Sequence, residues 1–390
     1  MRLHEYQAKQ ILSQYGIPVP RGRVATSMDE VREAAEQLGA RVVLKAQVLT
    51  SGRGSAGGIR LANDASEAEQ LAGQMFGMNI RGYMTSKVLI DEAIDVEEAF
   101  YLGIAIDRTL AQPVIVASAR GGIEIAQVVH EMPEHVYRIP IDPLLGLRAY
   151  QARELADDIG LSREQIPQFV SIALSLYQVL VDYDATLVEA NPLVARANGD
   201  LVSLNTRIVM DDDALYRHRE WIDVRDESQE TPIERLARRH SIGYVRLGGT
   251  VGCLSNGAGL AMATIDLLMA NGVRPANFVD IHRGANAEKV VQGIRFALNG
   301  SSQAILINCF CVLIPCDVIA RGIATACKEL ALNVPMVVRL EGLDTEAGYA
   351  LLDAIPGRTG RSGLYTARSS RDAVLRVVDL VRGSRGESGR

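Results

Sequence analysis

The sequence has no cysteine before residue 253, no apolar run approaching the roughly 20 residues that a membrane-spanning helix needs, and no excess of positive charge. Without such a run, no transmembrane helix and no membrane partner are expected. The formal net charge of −6 removes the electrostatic reason to expect nucleic acid, which calls for a basic patch or a high pI. Five cysteines (Cys253, Cys309, Cys311, Cys316, Cys327) are an odd number, and no secretory leader is expected before them. They are expected as reduced thiols rather than as a disulfide framework. The opening residues, MRLHEYQAKQIL, are charged and helix-like, unlike a signal or transit peptide, so a cytoplasmic location is expected. Small molecules or proteins remain as partners.

What is present is globular: 390 residues, 48% hydrophobic and 23% charged, enough for two or three domains. Residues 1 to about 20 read as a short helix followed by the turn YGIPVPRG, Met28 to Leu38 has helical apolar spacing, and the strand RVVLKAQV runs into the glycine-rich LTSGRGSAGGIRL. Strands KVLIDEAI, EAFYLGIAID, QPVIVASARGG, ATLVEANPLVAR and LVSLNTRIVM, with the helix REQIPQFVSIALSLYQVLVDY, predict an antiparallel sheet closing a first domain at 217. A polar linker is expected over 218–240. From 241 to 382 strands and helices alternate, which predicts five parallel strands with crossover helices, and ligands beyond the strands' carboxyl ends. The tail 383–390, small and polar, reads as disordered.

Two stretches could carry chemistry. The loop KAQVLTSGRGSAGG has the parts of a triphosphate site: Lys45 as a fixed charge at a strand end, Arg53 between Gly52 and Gly54, and accessible backbone N–H groups. Glycine-rich hairpins are also common as plain turns. In VEANPLVA, Glu189 and Asn191 share a strand face, and the returning strand LVSLNTRIV can bring Asn205 beside them. Such oxygens suit magnesium on nucleotide phosphates; a solvated polar strand face is the plainer alternative.

LHEYQAKQIL, SGRGSAGG, YLG, VEANPL, NGAGLAMATID, PANFVD and NVPMVVRLEG follow one another as in the β subunit of succinyl-CoA synthetase, and malate–CoA ligase β is similar. The resemblance spans residues 1 to about 382. It implies an α/β chain with an N-terminal ATP-grasp domain, followed by a flavodoxin-like doubly wound parallel-sheet domain. It also implies ATP and Mg2+ as cofactors, and an α-like partner subunit that brings CoA and a transiently phosphorylated histidine. Carried over by that resemblance, Lys45, Gly52, Arg53, Gly54 and Asp91 would bind nucleotide, Asp91 standing where the family usually has glutamate. Glu189 would face the phosphohistidine, Asn191 would bind metal, and Asn256 would lie near the carboxylate substrate.

The departures are specific. Asn205 stands where the family has a second, acidic metal ligand, which removes a negative charge, so metal affinity is expected to fall unless Glu189 or Asp211 compensates. Ala99 replaces an acidic residue beside YLG. DIHRGA puts His282 and Arg283 where the family has glycines; an arginine there can pair with a carboxylate, although a solvated loop is the equal alternative. In NCFCVLIPCD, Cys311 and Val312 replace two glycines, Leu313 follows, and Pro315 has no N–H to donate. Zinc is the weakest reading of these thiols, because a second C-x-x-C and a nearby histidine are missing. The segment is expected to be a ligand loop more apolar than its relatives'. The activity expected is that of an ADP-forming acid–CoA ligase subunit, with succinate or another acid as substrate. The alternatives are an ATP-grasp ligase using an acyl phosphate without CoA or α subunit, as in carboxylate–amine ligation, and a nucleotide-binding paralogue of low activity.

Overall fold

The computed structural model describes residues 1–39, 41–282, 284–298, 302–330, 332–356 and 363–387. The chain divides into two compact units, Met1–Gln229 and Glu230–Arg390. The division falls inside the segment 218–240, which holds two short helices, α7 (Arg219–Ile222) and α8 (Pro232–Arg239). Among the described residues no helix is long and apolar enough to cross a membrane.

Unit 1 opens with α1 (Glu5–Gln14), β1 (Gly22–Ala25) and α2 (Met28–Leu38). The Ser27 side chain accepts the Glu30 N–H at the start of α2, and Gly39 follows its end with φ of 114°, so both stops are local. β2 (Val42–Ala46), β3 (Ile59–Ala62), α3 (Ala65–Met75), the small hairpin β4 (Asn79–Ile80) and β5 (Tyr83–Met84), and β6 (Val88–Glu92) follow. Four of these strands form an antiparallel sheet in the order β1-β6-β2-β3. Helices α2 and α3 cover it through Val31, Ala34, Ala68 and Met75.

The second sheet of unit 1 uses β7 (Glu98–Asp107), β8 (Gln112–Ser118), β9 (Tyr137–Pro140), β10 (Ala185–Ala195), β11 (Leu201–Ser203) and β12 (Thr206–Met210). Its order is β11-β10-β7-β8-β9, with β12 also on β10, and the pairs are antiparallel as expected. α4 (Ile125–Glu131), α5 (Ala149–Asp158) and α6 (Ile166–Asp182) lie between these strands in sequence. Phe169, Ile172, Ala173, Leu176, Val179 and Leu180 make the apolar stripe of α6 that buries against the sheet. The register of β10 shifts between Ala190 and Leu193, where the Asn191–Pro192 peptide is cis.

Unit 2 contains β13 (Gly243–Arg246), β14 (Val251–Ser255), α9 (Ala258–Ala270), β15 (Pro275–Asp280), α10 (Ala287–Ala297), β16 (Ala304–Cys311), α11 (Cys316–Glu329), β17 (Met336–Gly342), α12 (Thr345–Asp353), β18 (Leu364–Thr366) and α13 (Ser370–Glu387). The order β15-β14-β16-β17-β18 is parallel throughout, the 2-1-3-4-5 arrangement of a doubly wound sheet. By its hydrophobic pattern GYVRLGG…VGCLS reads as one strand, the first of the alternating series. It is two, because Gly248 takes φ of 72° and the chain turns before β14. β13 then adds an antiparallel edge on β15. The alternation along β16 separates two cores: Ile305, Ile307, Cys309 and Cys311 on one side, Ala304 and Leu306 on the other. α13 runs on to Glu387, so residues 383–387 of the expected tail continue the helix backbone; residues 388–390 lie outside the described residues.

Candidate functional site

In unit 1, β2 and β6 bring Lys45 and Asp91 to adjacent strands, and α1 lays Glu5 and Lys9, one turn apart, against them. Lys45 Nζ lies 2.9 Å from Glu5 Oε1, 2.6 Å from the Leu204 carbonyl and 2.9 Å from Asp91 Oδ2. An ammonium has three donors, and all three are accounted for. Lys9 Nζ shares both carboxylates, at 3.1 Å from Glu5 and 2.5 Å from Asp91. Arg53 donates to Glu5 Oε2 at 2.6 Å, to Asn205 Oδ1 at 2.9 Å and to the Ala46 carbonyl at 3.0 Å. Three cations therefore face two buried carboxylates, leaving one positive charge in excess.

The electrostatics follow from that imbalance. Burial pushes the Glu5 carboxyl up, but Lys45, then Lys9 and Arg53, overcome it and hold it well below the usual carboxylate range. Lys45 is likewise penalised by burial, yet Glu5 and Asp91 raise it above its ordinary value. Lys9 is lowered by burial and by repulsion from Lys45, although Glu5 and Asp91 pull it upward. Glu5 and Lys9 carry no sequence signal beyond an i,i+4 pair, which usually marks a solvated helix face.

Beside this cluster is a cavity of about 430 Å³ lined by Tyr6, Lys9, Pro20, Arg21, Leu89 and Asp91 among others. Asp91 is 1% exposed, and its Oδ1 has no hydrogen-bond partner within the protein. A Cβ on Gly22 would come within 2.2 Å of that oxygen, so the strand β1 passes it only because residue 22 is glycine. Gly52 (φ 72°) turns the loop that carries Arg53 and Gly54, and Gly58 N–H closes it on the Arg53 carbonyl at 2.8 Å.

The second group is on β10. Asn191 sits at the register shift of that strand. It accepts from Gly122 N–H at 2.8 Å and donates to the Ile123 carbonyl at 2.9 Å, tying down the turn before α4. Asn205 does arrive beside it, as its Nδ2 donates to the Asn191 carbonyl at 3.1 Å. Asp211 does not join them; it accepts from Asp213 N–H at the start of a 3₁₀ turn. Each amide oxygen has one protein donor and a second lone pair free for a cation. Among the described residues no group of three or more His, Cys, Asp or Glu side chains could hold a metal ion. Neutral oxygens of this kind fit magnesium that arrives on phosphates and keeps waters.

In unit 2, Asn256 spans the ends of β14 and β16 at the topological switch point. Its Nδ2 donates to the Phe310 carbonyl at 3.0 Å and its Oδ1 accepts from Phe310 N–H at 2.8 Å, imitating one more rung of the ladder. The His282 backbone N–H donates to Asp280 Oδ1 at 2.8 Å, while its half-exposed ring lies 3.1 Å from Asp280 Oδ2. Arg283 lies outside the described residues. Cys311 faces inward with Cys309 and Cys316, all fully buried, so strand alternation places it in the core and not on the loop's outer surface. Burial pushes the Cys309 thiol up to about 12. Val312 and Leu313 are exposed, together with Phe310.

A profile described as ATP-grasp domain matches residues 2–195, and one described as CoA-ligase matches residues 254–375. Succinate–CoA ligase [ADP-forming] subunit beta from Roseiflexus sp. is 47% identical over 98% of this chain and 99% of its own length. The protein of the same name from Chloroflexus aurantiacus is 45% identical over 98% and 100%. This chain belongs to the ADP-forming succinate–CoA ligase β-subunit family. It is therefore an ATP-dependent ligase with an ATP-grasp domain followed by a CoA-ligase domain, and the family uses ATP, Mg2+ and CoA. The fold is shared further: ATP citrate lyase from Methanothrix soehngenii superimposes with a TM-score of 0.70 at 20% identity, covering 98% of this chain and 99% of that one.

Proposed function

We propose that this succinate–CoA ligase family member is the nucleotide-binding subunit of an acid–CoA ligase that works with a CoA-carrying α-like subunit. ATP transfers its γ-phosphoryl group to a histidine of that partner, and the histidine passes it to the carboxylic acid. The resulting acyl phosphate is attacked by CoA, releasing phosphate, so the sum is ATP, acid and CoA to ADP, phosphate and acyl-CoA. Magnesium, when bound, neutralises phosphate charge, and the amide oxygens of Asn191 and Asn205 would hold it.

The observation that carries this reading is Asp91: a buried carboxylate with one oxygen unpartnered within the protein, lining a cavity beside three clustered cations. Such an oxygen calls for a donor from a ligand, as a nucleoside's hydroxyl or amino group supplies. Lys45 and Arg53 supply positive charge for the phosphates, with Gly52 and Gly54 keeping the loop's backbone close. Since Glu5 already occupies both cations, phosphate oxygens must replace it on Arg53 for direct contact. By its place in the family's motif, Glu189 would face the partner's histidine.

The exposed side chains of Phe310, Val312 and Leu313 favour an acid with an apolar carbon chain. Succinate is the second reading, supported by the names of the relatives. Calorimetric titration of Mg-ATP into the Asp91→Asn protein tests the nucleotide assignment. Affinity is expected to fall about ten-fold or more, in line with loss of a charge-assisted hydrogen bond. Unchanged affinity in a folded variant would move the nucleotide away from this cavity.

A further inference from the structure

Glu189 has more support than a residue merely exposed on a strand would need. It faces Gly103 on β7 and Arg207 on β12, directly across the ladder on either side. Tyr101, two residues before Gly103 and so on the same face, reaches along the strand, and its hydroxyl donates to Glu189 Oε2 at 3.0 Å. Tyr101 is 4% exposed. A Cβ on residue 103 would come within 2.6 Å of that hydroxyl and 3.1 Å of Glu189 Cβ. A glycine in mid-strand weakens a sheet, and here its absent side chain is the space in which the tyrosine meets the carboxylate.

We propose that Tyr101 is a positioning residue for Glu189, seated by Gly103, and that Arg207 completes the pair as counter-charge, so that the carboxylate is held in one orientation. The inference rests on Glu189 serving the phosphoryl-transfer step. Three groups face the carboxylate: Tyr101 from β7, Arg207 from β12 with its guanidinium 3.6 Å from Glu189 Oε1, and Glu124 from the residue before α4. Burial raises the Glu189 carboxyl, Arg207 and Tyr101 pull it back, and Glu124 adds to the rise. Deleting the tyrosine hydroxyl removes the hydrogen bond that fixes Glu189 Oε2, so the carboxylate is free to turn. A side chain at 103 displaces the hydroxyl and has the same effect.

The test compares wild type, Tyr101→Phe, Gly103→Ala, the double variant and Glu189→Gln in the assembled enzyme, with kcat and KM measured separately and circular dichroism confirming folding. Both single variants are expected to lower turnover about ten-fold, carried by kcat more than by KM, and the double variant should be no worse than either single one. Turnover of folded Tyr101→Phe close to wild type, with Glu189→Gln inactive, would overturn the proposal while keeping Glu189 in the reaction. Wild-type turnover in Glu189→Gln would instead overturn it through the reading it rests on, which separates the two. Additive losses in the double variant would also overturn it, since Gly103 would then act independently of Tyr101.

Discussion

Glu5→Gln is expected to lower the unfolding free energy by about 3–5 kcal/mol at neutral pH, measured by urea denaturation. Glu5 is 1% exposed in its side chain and is the carboxylate that Lys9, Lys45 and Arg53 all touch. Without its charge, Asp91 alone faces three buried cations. The loss should also reshape the acid side of the stability curve. The folded-state value of Glu5 is held below its ordinary 4.5, so its contribution is present above that value and is lost as pH falls through the depressed folded value. Wild type should therefore shed stability steadily below about pH 4, with the glutamine variant following a shallower slope in the same range. Equal slopes would mean that Glu5 is not the group linking this cluster to pH.

Lys45→Met is expected to reduce turnover on the order of 10²- to 10³-fold, in the range found when one fixed charge-stabilising donor is removed from an active site. Lys45 lies at a strand end, caged by Glu5, Asp91 and the Leu204 carbonyl, so its charge is fixed before any ligand arrives. Lys45→Arg should not restore activity, because a planar guanidinium cannot direct three donors into a cage shaped for an ammonium. ADP release by the assembled enzyme, with circular dichroism to confirm folding, checks both variants. A methionine variant within a few-fold of wild type would show that Lys9 and Arg53 carry the phosphate charge without Lys45.

These effects show where sequence reasoning reaches and where it stops. The glycine loop with Lys45 and Arg53 was legible because fixed charge and accessible backbone appear together within ten residues. The doubly wound second unit was legible because strands and helices alternate in hydrophobic period, although Gly248 splits what reads as one strand into two. Glu5 and Lys9 were not legible: they sit 36 or more residues from Lys45, Arg53 and Asp91, and only packing α1 onto β2 and β6 reveals that five charges form one cluster. Cys311 was misplaced on the loop surface because a two-glycine replacement suggested side chains projecting outward. The alternation of β16 continues through Cys311, and the projection begins at Val312. Tyr101 escaped notice since YLG marks a strand equally well with or without a role for its hydroxyl.

The most direct measurement assembles this chain with the CoA-binding subunit isolated from its own host and follows ADP release against a panel of carboxylic acids of rising apolar chain length, with and without CoA. ADP release that requires ATP, CoA, the partner and an acid, and that fails in the partner's histidine variant, is the predicted result. ADP release by this chain alone with an acid and an amine, or no release under any combination, would contradict the acid–CoA ligase account.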